Sequence, residues 1–203
     1  MNSTRIGIIV IIVAIMATGL FFYLNKTKDT ASPVEMEDEE YEKTMGKLDF
    51  FELNNEVCHA MNGLKAPDIQ CSTKEESPFL SSFVKDKPIL IYRYSELNCR
   101  TCFETELQHL QQYFPENDRQ AIILCSYLNE SDFQVFKRMN KIRLPIYRID
   151  SDAFGWIADE KDSPYYFVLY PDMKVSQFYI PEKAYPEMNT SYLEGIKRLL
   201  ADS

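Results

Sequence analysis

Cys99 and Cys102 are the residues of this chain best suited to chemistry, because their spacing and context fit dithiol–disulfide exchange. They follow an apolar run at 88–94, which predicts a strand, and they open a segment with helical spacing at 99–114. Residues i and i+3 share one face of a helix, so the two sulfurs can meet. The start of a helix also favours a thiolate. The pattern therefore predicts Cys99 as the nucleophile and Cys102 as the resolving thiol.

The pair has other interpretations. It could form a structural disulfide, or it could be an unreactive remnant in a redox-inactive domain. A zinc site is disfavoured, because zinc needs about four ligands and the sequence offers no second cysteine pair or histidine cluster at ligand spacing. Arg100 lies between the cysteines, where its charge would favour a thiolate, although a solvated residue at a helix start is an equally good interpretation.

The other cysteines and the histidines carry weaker signals. Cys58 and Cys71 could form a second disulfide, act as a second redox couple or remain two free thiols, since sequence does not give their separation. Cys125 lies in an apolar run and is expected to behave as a small apolar residue. His59 and His109 are expected to be surface or packing residues.

An uncharged apolar segment, Ile6–Leu24, stands near the start of the chain. As a helix its nineteen residues would span about 28 Å, close to the hydrocarbon thickness of a bilayer. Residues 1–25 are therefore predicted to be a membrane anchor or a cleaved signal segment, and the length of the apolar run favours the anchor. A cysteine pair that exchanges disulfides is most useful where disulfides persist, so we expect the rest of the chain on the extracytoplasmic side.

The chain is acidic, with a net charge of −9, and residues 35–42 hold much of the excess. Such a block predicts a solvated spacer, and we assign residues 26–62 to an acidic linker and N-terminal extension. A cation-binding or partner-docking patch is the alternative. Nucleic-acid binding is disfavoured, because neutralising phosphates requires a basic face.

Beyond the linker the pattern predicts strands that alternate with helices and end in a hairpin and a helix. This order favours an α/β fold with a central mixed sheet flanked by helices. The last helix is expected to begin near Ser191, with Glu194 completing a capping box. The other predicted elements are strands at 67–71, 89–94, 121–127, 144–149, 165–170 and 175–180, and helices at 53–61, 99–114, 131–140 and 153–158.

These parts resemble the thioredoxin-like superfamily, and in particular the membrane-anchored, TlpA- and ResA-like thiol–disulfide oxidoreductases. The resemblance covers residues 63–203 and rests on Gly63-x-x-Ala66-Pro67-Asp68-Ile69, on the Cys99-x-x-Cys102 pair and on the insertion at 131–160. Ser163-Pro164 matches the position of the family's cis-proline. The resemblance implies that this loop faces the redox pair and binds the substrate peptide.

The chain departs from the family pattern at the motif itself. Asn98 stands where the family has tryptophan, and Arg100-Thr101 replaces the usual dipeptide. The family's glutamate would fall on Thr105, so Glu106 or Glu104 would have to take its proton-shuttling role.

The function that the resemblance implies is disulfide exchange with protein substrates by a membrane-tethered domain that needs no cofactor. A reducing enzyme of this kind would also need an electron donor in the membrane. One alternative is a redox-inactive thioredoxin-like module that binds a partner in the cell envelope. A peroxide-reducing enzyme of related fold is a weaker alternative, because the residues around Cys99 lack the proline- and threonine-rich loop of such enzymes.

Overall fold

The computed structural model describes residues 33–98, 100–115, 119–161 and 163–203, with side chains described at all of these except 33–39, 100–103 and 161. The apolar segment predicted to span a membrane, Ile6–Leu24, lies outside the described residues. Among the described helices, none is both long enough and apolar enough to cross a bilayer.

The centre of the fold is a five-stranded mixed sheet with the strand order β3-β2-β1-β4-β5. Strands β1, β2 and β3 are parallel, whereas β4 runs antiparallel to β1 and β5 antiparallel to β4. The strands are β1 (Ile89–Ser95), β2 (Ala121–Ser126), β3 (Ile146–Arg148), β4 (Tyr165–Leu169) and β5 (Val175–Tyr179). This is the predicted α/β architecture with a mixed sheet, and the structure confirms it.

Four helices of the described residues accompany the sheet: α1 (Pro33–Met61), α2 (Arg100–Tyr113), α3 (Glu130–Met139) and α4 (Pro186–Ala201). Two short 3₁₀ helices, Leu80–Phe83 and Asp159–Lys161, lie between them. Helices α2 and α3 connect parallel strands, as a parallel pair requires. The predicted helices at 99–114 and 131–140 are therefore confirmed to within about two residues.

Each face of the sheet is covered by its own apolar layer. Alternate residues of β1 divide between the layers, with Leu90 and Tyr92 on one face and Ile89 and Ile91 on the other. The first layer includes the buried faces of α2, α3 and α4. The second layer includes the end of α1 and the residues around Trp156. Burial on both faces explains the nearly continuous apolar character of β1, β2 and β4.

The described chain divides into two compact units, of which the second comprises Phe50–Ser203. Residues 33–49 are the first part of α1, and this part is helical although it was predicted to be a spacer. The second unit thus begins inside α1, and it includes residues that the sequence analysis assigned to the linker.

The end of α1 protects the open edge of the sheet at β5. The carboxamide of Asn54 accepts a hydrogen bond from the Ile180 N–H at 2.7 Å and donates one to the Ile180 carbonyl at 3.2 Å. The side chain thus pairs with the backbone beyond β5 as a neighbouring strand would. An exposed strand edge invites pairing with other chains, and this contact closes part of it.

Three predicted elements are wrong. Residues 67–71 contain one isolated bridge, at Gln70, rather than a strand, because the Ile69 N–H turns back to the Pro67 carbonyl. Residues 153–158 form turns rather than a helix, because Gly155 adopts a left-handed φ of 60° that interrupts a helical path. Helix α4 begins at Pro186 rather than near Ser191, since proline is preorganised for the first helical position.

Replacing Asn54 with alanine should lower the free energy of unfolding by about 2 kcal/mol, because a buried backbone N–H would lose its acceptor. Urea denaturation of the full chain, followed by circular dichroism, measures this change. Asn55→Ala is the matched control, since the adjacent Asn55 is exposed. Equal destabilisation by the two substitutions would contradict the bridging role of Asn54.

Candidate functional site

A tight turn connects β1 to the cysteine motif. The Ser95 N–H donates to the Asn98 side-chain oxygen at 2.6 Å, and the Asn98 N–H donates to the Ser95 carbonyl at 3.0 Å. Asn98 is the residue immediately before Cys99, and its burial and these two hydrogen bonds fix its position. Helix α2 begins at Arg100, which puts the backbone of Cys102 in its first turn. Cys99 and the side chains of 100–103 lie outside the described residues.

The antiparallel pairing of β1 with β4 brings the Ser163-Pro164 loop to the same edge of the sheet as the motif. Arg93 near the end of β1 pairs with Tyr165 at the start of β4. The chain therefore leaves β1 toward Cys99 where it enters β4 from Pro164. A cavity of about 130 Å³ lies between the two segments, and Asn98 and Ser163 both line it. Residues 65 positions apart in sequence thus share one small cavity.

The predicted cis bond before Pro164 is wrong, because the described residues contain no cis peptide bond. The trans form is the default for a bond to proline, favoured by about 0.5–1 kcal/mol. Pro164 itself is buried and Ser163 is half-buried. The loop keeps its predicted place in the fold while its backbone differs from the expectation.

A buried cation, Arg93, connects β1 to the segment that precedes Pro164. Its Nη2 donates to the Ser126 hydroxyl at 2.7 Å and to the Ser151 carbonyl at 3.3 Å. Its Nε lies 3.8 Å from a carboxylate oxygen of Asp159, which also accepts a hydrogen bond from the Tyr165 hydroxyl at 2.9 Å. These contacts hold the 151–159 segment against the strand that carries the motif. A buried charge paired in this way would leave its partner uncompensated if it were removed.

Glu106 is a buried carboxyl group four residues after Cys102, on the same face of α2. It accepts hydrogen bonds from the Asn189 side-chain amide at 2.7 Å and from the Tyr166 hydroxyl at 3.1 Å. The Nδ1 atom of His109 lies 3.4 Å from it. Burial raises the pKa of Glu106, whereas the charge of His109 and the hydrogen bonds oppose that rise. A carboxyl group with a raised pKa holds a proton more readily than an exposed carboxyl group does.

The network around Glu106 extends across the sheet. Asn189 on α4 accepts a hydrogen bond from the Tyr179 hydroxyl of β5 at 2.7 Å. Asn189 also donates to the Glu182 carbonyl at 3.1 Å. The carboxyl group therefore has direct partners on α4 and β4, and Tyr179 of β5 helps to orient one of them, Asn189.

Three further cysteines, Cys58, Cys71 and Cys125, are free thiols in the structure. The sequence left open whether Cys58 and Cys71 form a disulfide, and in the structure both are free thiols. The Cys58 sulfur donates to the Phe178 carbonyl at 2.6 Å. Burial raises the pKa of Cys58, and it raises the pKa of both Cys71 and Cys125 to about 12. These thiols are protonated at neutral pH and are poor nucleophiles.

Sequence reasoning singled out Glu106 and placed His109 one turn after it, but it missed Arg93 and the Glu106 partners Tyr166 and Asn189. A single arginine inside the apolar run at 88–94 was the available signal for a buried charge. Tyr166 and Asn189 gave no such signal. In the part of the chain that the structure describes, no group of three or more His, Cys, Asp or Glu side chains is placed to hold a metal ion.

Comparison with known proteins identifies the fold. No protein-family model matches the chain, and no curated protein matches it in sequence. Among solved structures, a thiol:disulfide interchange protein from Bacteroides sp. matches with a TM-score of 0.51 at 16% identity, over 69% of this chain and 90% of that chain. The thioredoxin domain of a thiol-disulfide oxidoreductase from Bacteroides vulgatus matches with a TM-score of 0.52 at 14% identity, over 68% and 97%.

A mutant of PrxQ from Xylella fastidiosa also matches, with a TM-score of 0.52 at 16% identity over 68% of this chain and 97% of that chain. At these identities the likeness concerns the fold alone. The chain has a thioredoxin-like fold, which is the fold that the resemblance implied.

Replacing Glu106 with glutamine should change how stability depends on pH. The pKa of Glu106 is raised above its ordinary value of 4.5, so its contribution to stability is present below that pH and is lost as the pH rises through the folded-state pKa. The variant should lack this loss. Urea denaturation at a series of pH values gives the difference curve, with the exposed Glu187→Gln as the control. A difference curve that is flat above pH 4.5 would contradict the raised pKa.

Proposed function

We propose that this chain is a thiol–disulfide oxidoreductase, tethered to a membrane by its N-terminal segment, that acts on protein disulfides on the extracytoplasmic side. The observation that carries the proposal is the pairing of β1 with β4, which brings the segment leading into Cys99 and the Ser163-Pro164 loop to one cavity. Disulfide exchange requires a thiolate that a substrate disulfide can reach, and the resemblance implies that this loop holds the substrate peptide. The tether and the compartment rest on the sequence of residues 1–25 and on the use of paired cysteines.

In the reducing direction, the Cys99 thiolate attacks one sulfur of a substrate disulfide. A Cys99–substrate disulfide forms, and the other substrate sulfur leaves as a thiolate that takes up a proton. The Cys102 thiol then loses its proton and attacks the Cys99 sulfur. The products are the Cys99–Cys102 disulfide and a second substrate thiolate, which is protonated in turn. Two electrons have passed from the dithiol to the substrate, and a membrane electron donor would restore the dithiol.

We assign the proton of Cys102 to the Glu106 carboxylate. The two residues are one helical turn apart, and the partners of Glu106 keep its carboxyl group out of bulk water. A buried base whose pKa is raised accepts a proton more readily than an exposed carboxylate does. In the oxidising direction the same group would return the proton to Cys102. The direction itself depends on the reduction potential relative to the partner.

The Cys102→Ser variant of the full chain tests this proposal in cells. Without the resolving thiol, the Cys99–substrate disulfide cannot be resolved. Protein adducts that a reductant cleaves should therefore accumulate. We expect these adducts in the membrane fraction and expect added protease to degrade them in spheroplasts. The Cys99→Ser/Cys102→Ser variant is the control and should form no such adducts.

The absence of adducts from Cys102→Ser would overturn the catalytic proposal and favour a redox-inactive binding module. Adducts that resist protease until the membrane is broken would place the domain in the cytoplasm instead. The two outcomes separate the chemistry from the location.

A further inference from the structure

A groove of about 500 Å³ lies at the carboxyl edge of the three parallel strands, directly beside the cysteine motif. It is formed by residues 95–97 at the end of β1 and beyond, 126–128 at the end of β2 and beyond, 148–152 at the end of β3 and beyond, and by Gln70 and Ser72. Loops at the carboxyl ends of parallel strands are where α/β proteins bind their ligands. Leu97 lies in this groove two residues before Cys99, so a molecule in the groove contacts the segment that leads into the motif.

Two leucines flank the groove with their side chains in solvent. Leu97 is 82% exposed and Leu128 is 86% exposed. The Leu128 N–H donates to the Glu96 carboxylate at 2.6 Å, which ties the turn after β1 to the segment after β2. Two leucines on connected segments at the same edge offer an apolar contact to an incoming side chain.

The charged side chains that line the groove are mostly acidic. Glu96, Asp150 and Asp152 carry carboxylates, and Asp150 and Asp152 are exposed. The cation among the described lining residues, Arg148, forms an ion pair with Glu130 at 3.3 Å. The groove therefore has an excess of negative charge, which attracts cations and repels anions.

We infer that this groove binds a basic segment of the protein substrate, in which a lysine or arginine lies close to an apolar residue and to the disulfide. The apolar side chain would contact Leu97 and Leu128, and the cation would lie against Asp150 and Asp152. This inference rests on the proposed function for the chemistry at Cys99. It adds the class of substrate, because charge complementarity raises the rate of encounter with basic partners and lowers it with acidic ones.

The test uses short peptides with one disulfide to the same small thiol and one leucine, which differ only in a neighbouring Lys, Gln or Glu. The full chain in a neutral detergent, with its cysteines reduced, should react at least about fivefold faster with the Lys peptide than with the Gln peptide, and slowest with the Glu peptide. The preference should shrink as salt is added, since salt screens exposed charges. Stopped-flow release of the small thiol measures each rate.

The Asp150→Asn/Asp152→Asn variant should lower the ratio of the Lys rate to the Gln rate to about twofold or less. Asp86→Asn/Asp172→Asn removes the same charge and is the matched control. Asp86 precedes β1 and Asp172 follows β4, so both lie at the ends of these strands that are opposite to the groove. The control should keep the wild-type ratio.

Two failures are distinguishable. Equal rates for the three peptides, or equal ratios for the two variants, would overturn the groove as a site for basic segments while leaving the exchange chemistry intact. No reaction with any peptide would overturn the proposed function. In that case, peptides with serine in place of cysteine test the groove alone by calorimetry, and binding of the Lys peptide no tighter than the Glu peptide would overturn it.

Discussion

The antiparallel pairing of β1 with β4 is the constraint on which the account of this protein depends. It makes the end of one strand and the start of the other neighbours, so two segments far apart in sequence must meet at one edge of the sheet. Arg93 of β1 reinforces this arrangement, because its guanidinium contacts Ser126 of β2 and Asp159, which precedes β4. The order of strands thus brings the turn before Cys99 close to the loop before β4. This proximity follows from the strand pairing alone and does not depend on a contact between the cysteines and the loop.

The carboxyl group that we propose as the proton acceptor of Cys102, Glu106 on α2, lies against the opposite face of the same strands. Tyr166 of β4 and Asn189 of α4 hold Glu106 in an apolar layer, where a charged carboxylate is costly without hydrogen bonds. The groove at the carboxyl edge uses the other part of the sheet, the parallel strands β1 to β3. The antiparallel half of the sheet therefore positions the loop before β4, and the parallel half forms the groove. The turn that leads into the motif lies between them.

Periodicity and spacing predicted the elements whose signal is local. The apolar runs gave β1, β2 and the hairpin, and the stripe after Cys102 gave α2, because burial on fixed faces is written in adjacent residues. The predicted start of α4 was wrong because Pro186 begins the helix before Ser191. The predicted cis bond before Pro164 was wrong because the bond keeps the default trans form. Glu106 was named, yet its partners Tyr166 and Asn189 are 60 and 83 residues away, and no local pattern records such contacts.

A redox titration of the full chain tests the central claim most directly. The protein is equilibrated in glutathione buffers of different potential, quenched with acid, alkylated and analysed by mass spectrometry of the peptide that contains both motif cysteines. The account predicts a reversible two-electron couple between Cys99 and Cys102, with a tenfold change in the ratio for about every 30 mV, while Cys71 and Cys125 remain thiols. A motif that stays as two thiols under oxidation, or a disulfide that is reduced only after unfolding, would contradict it.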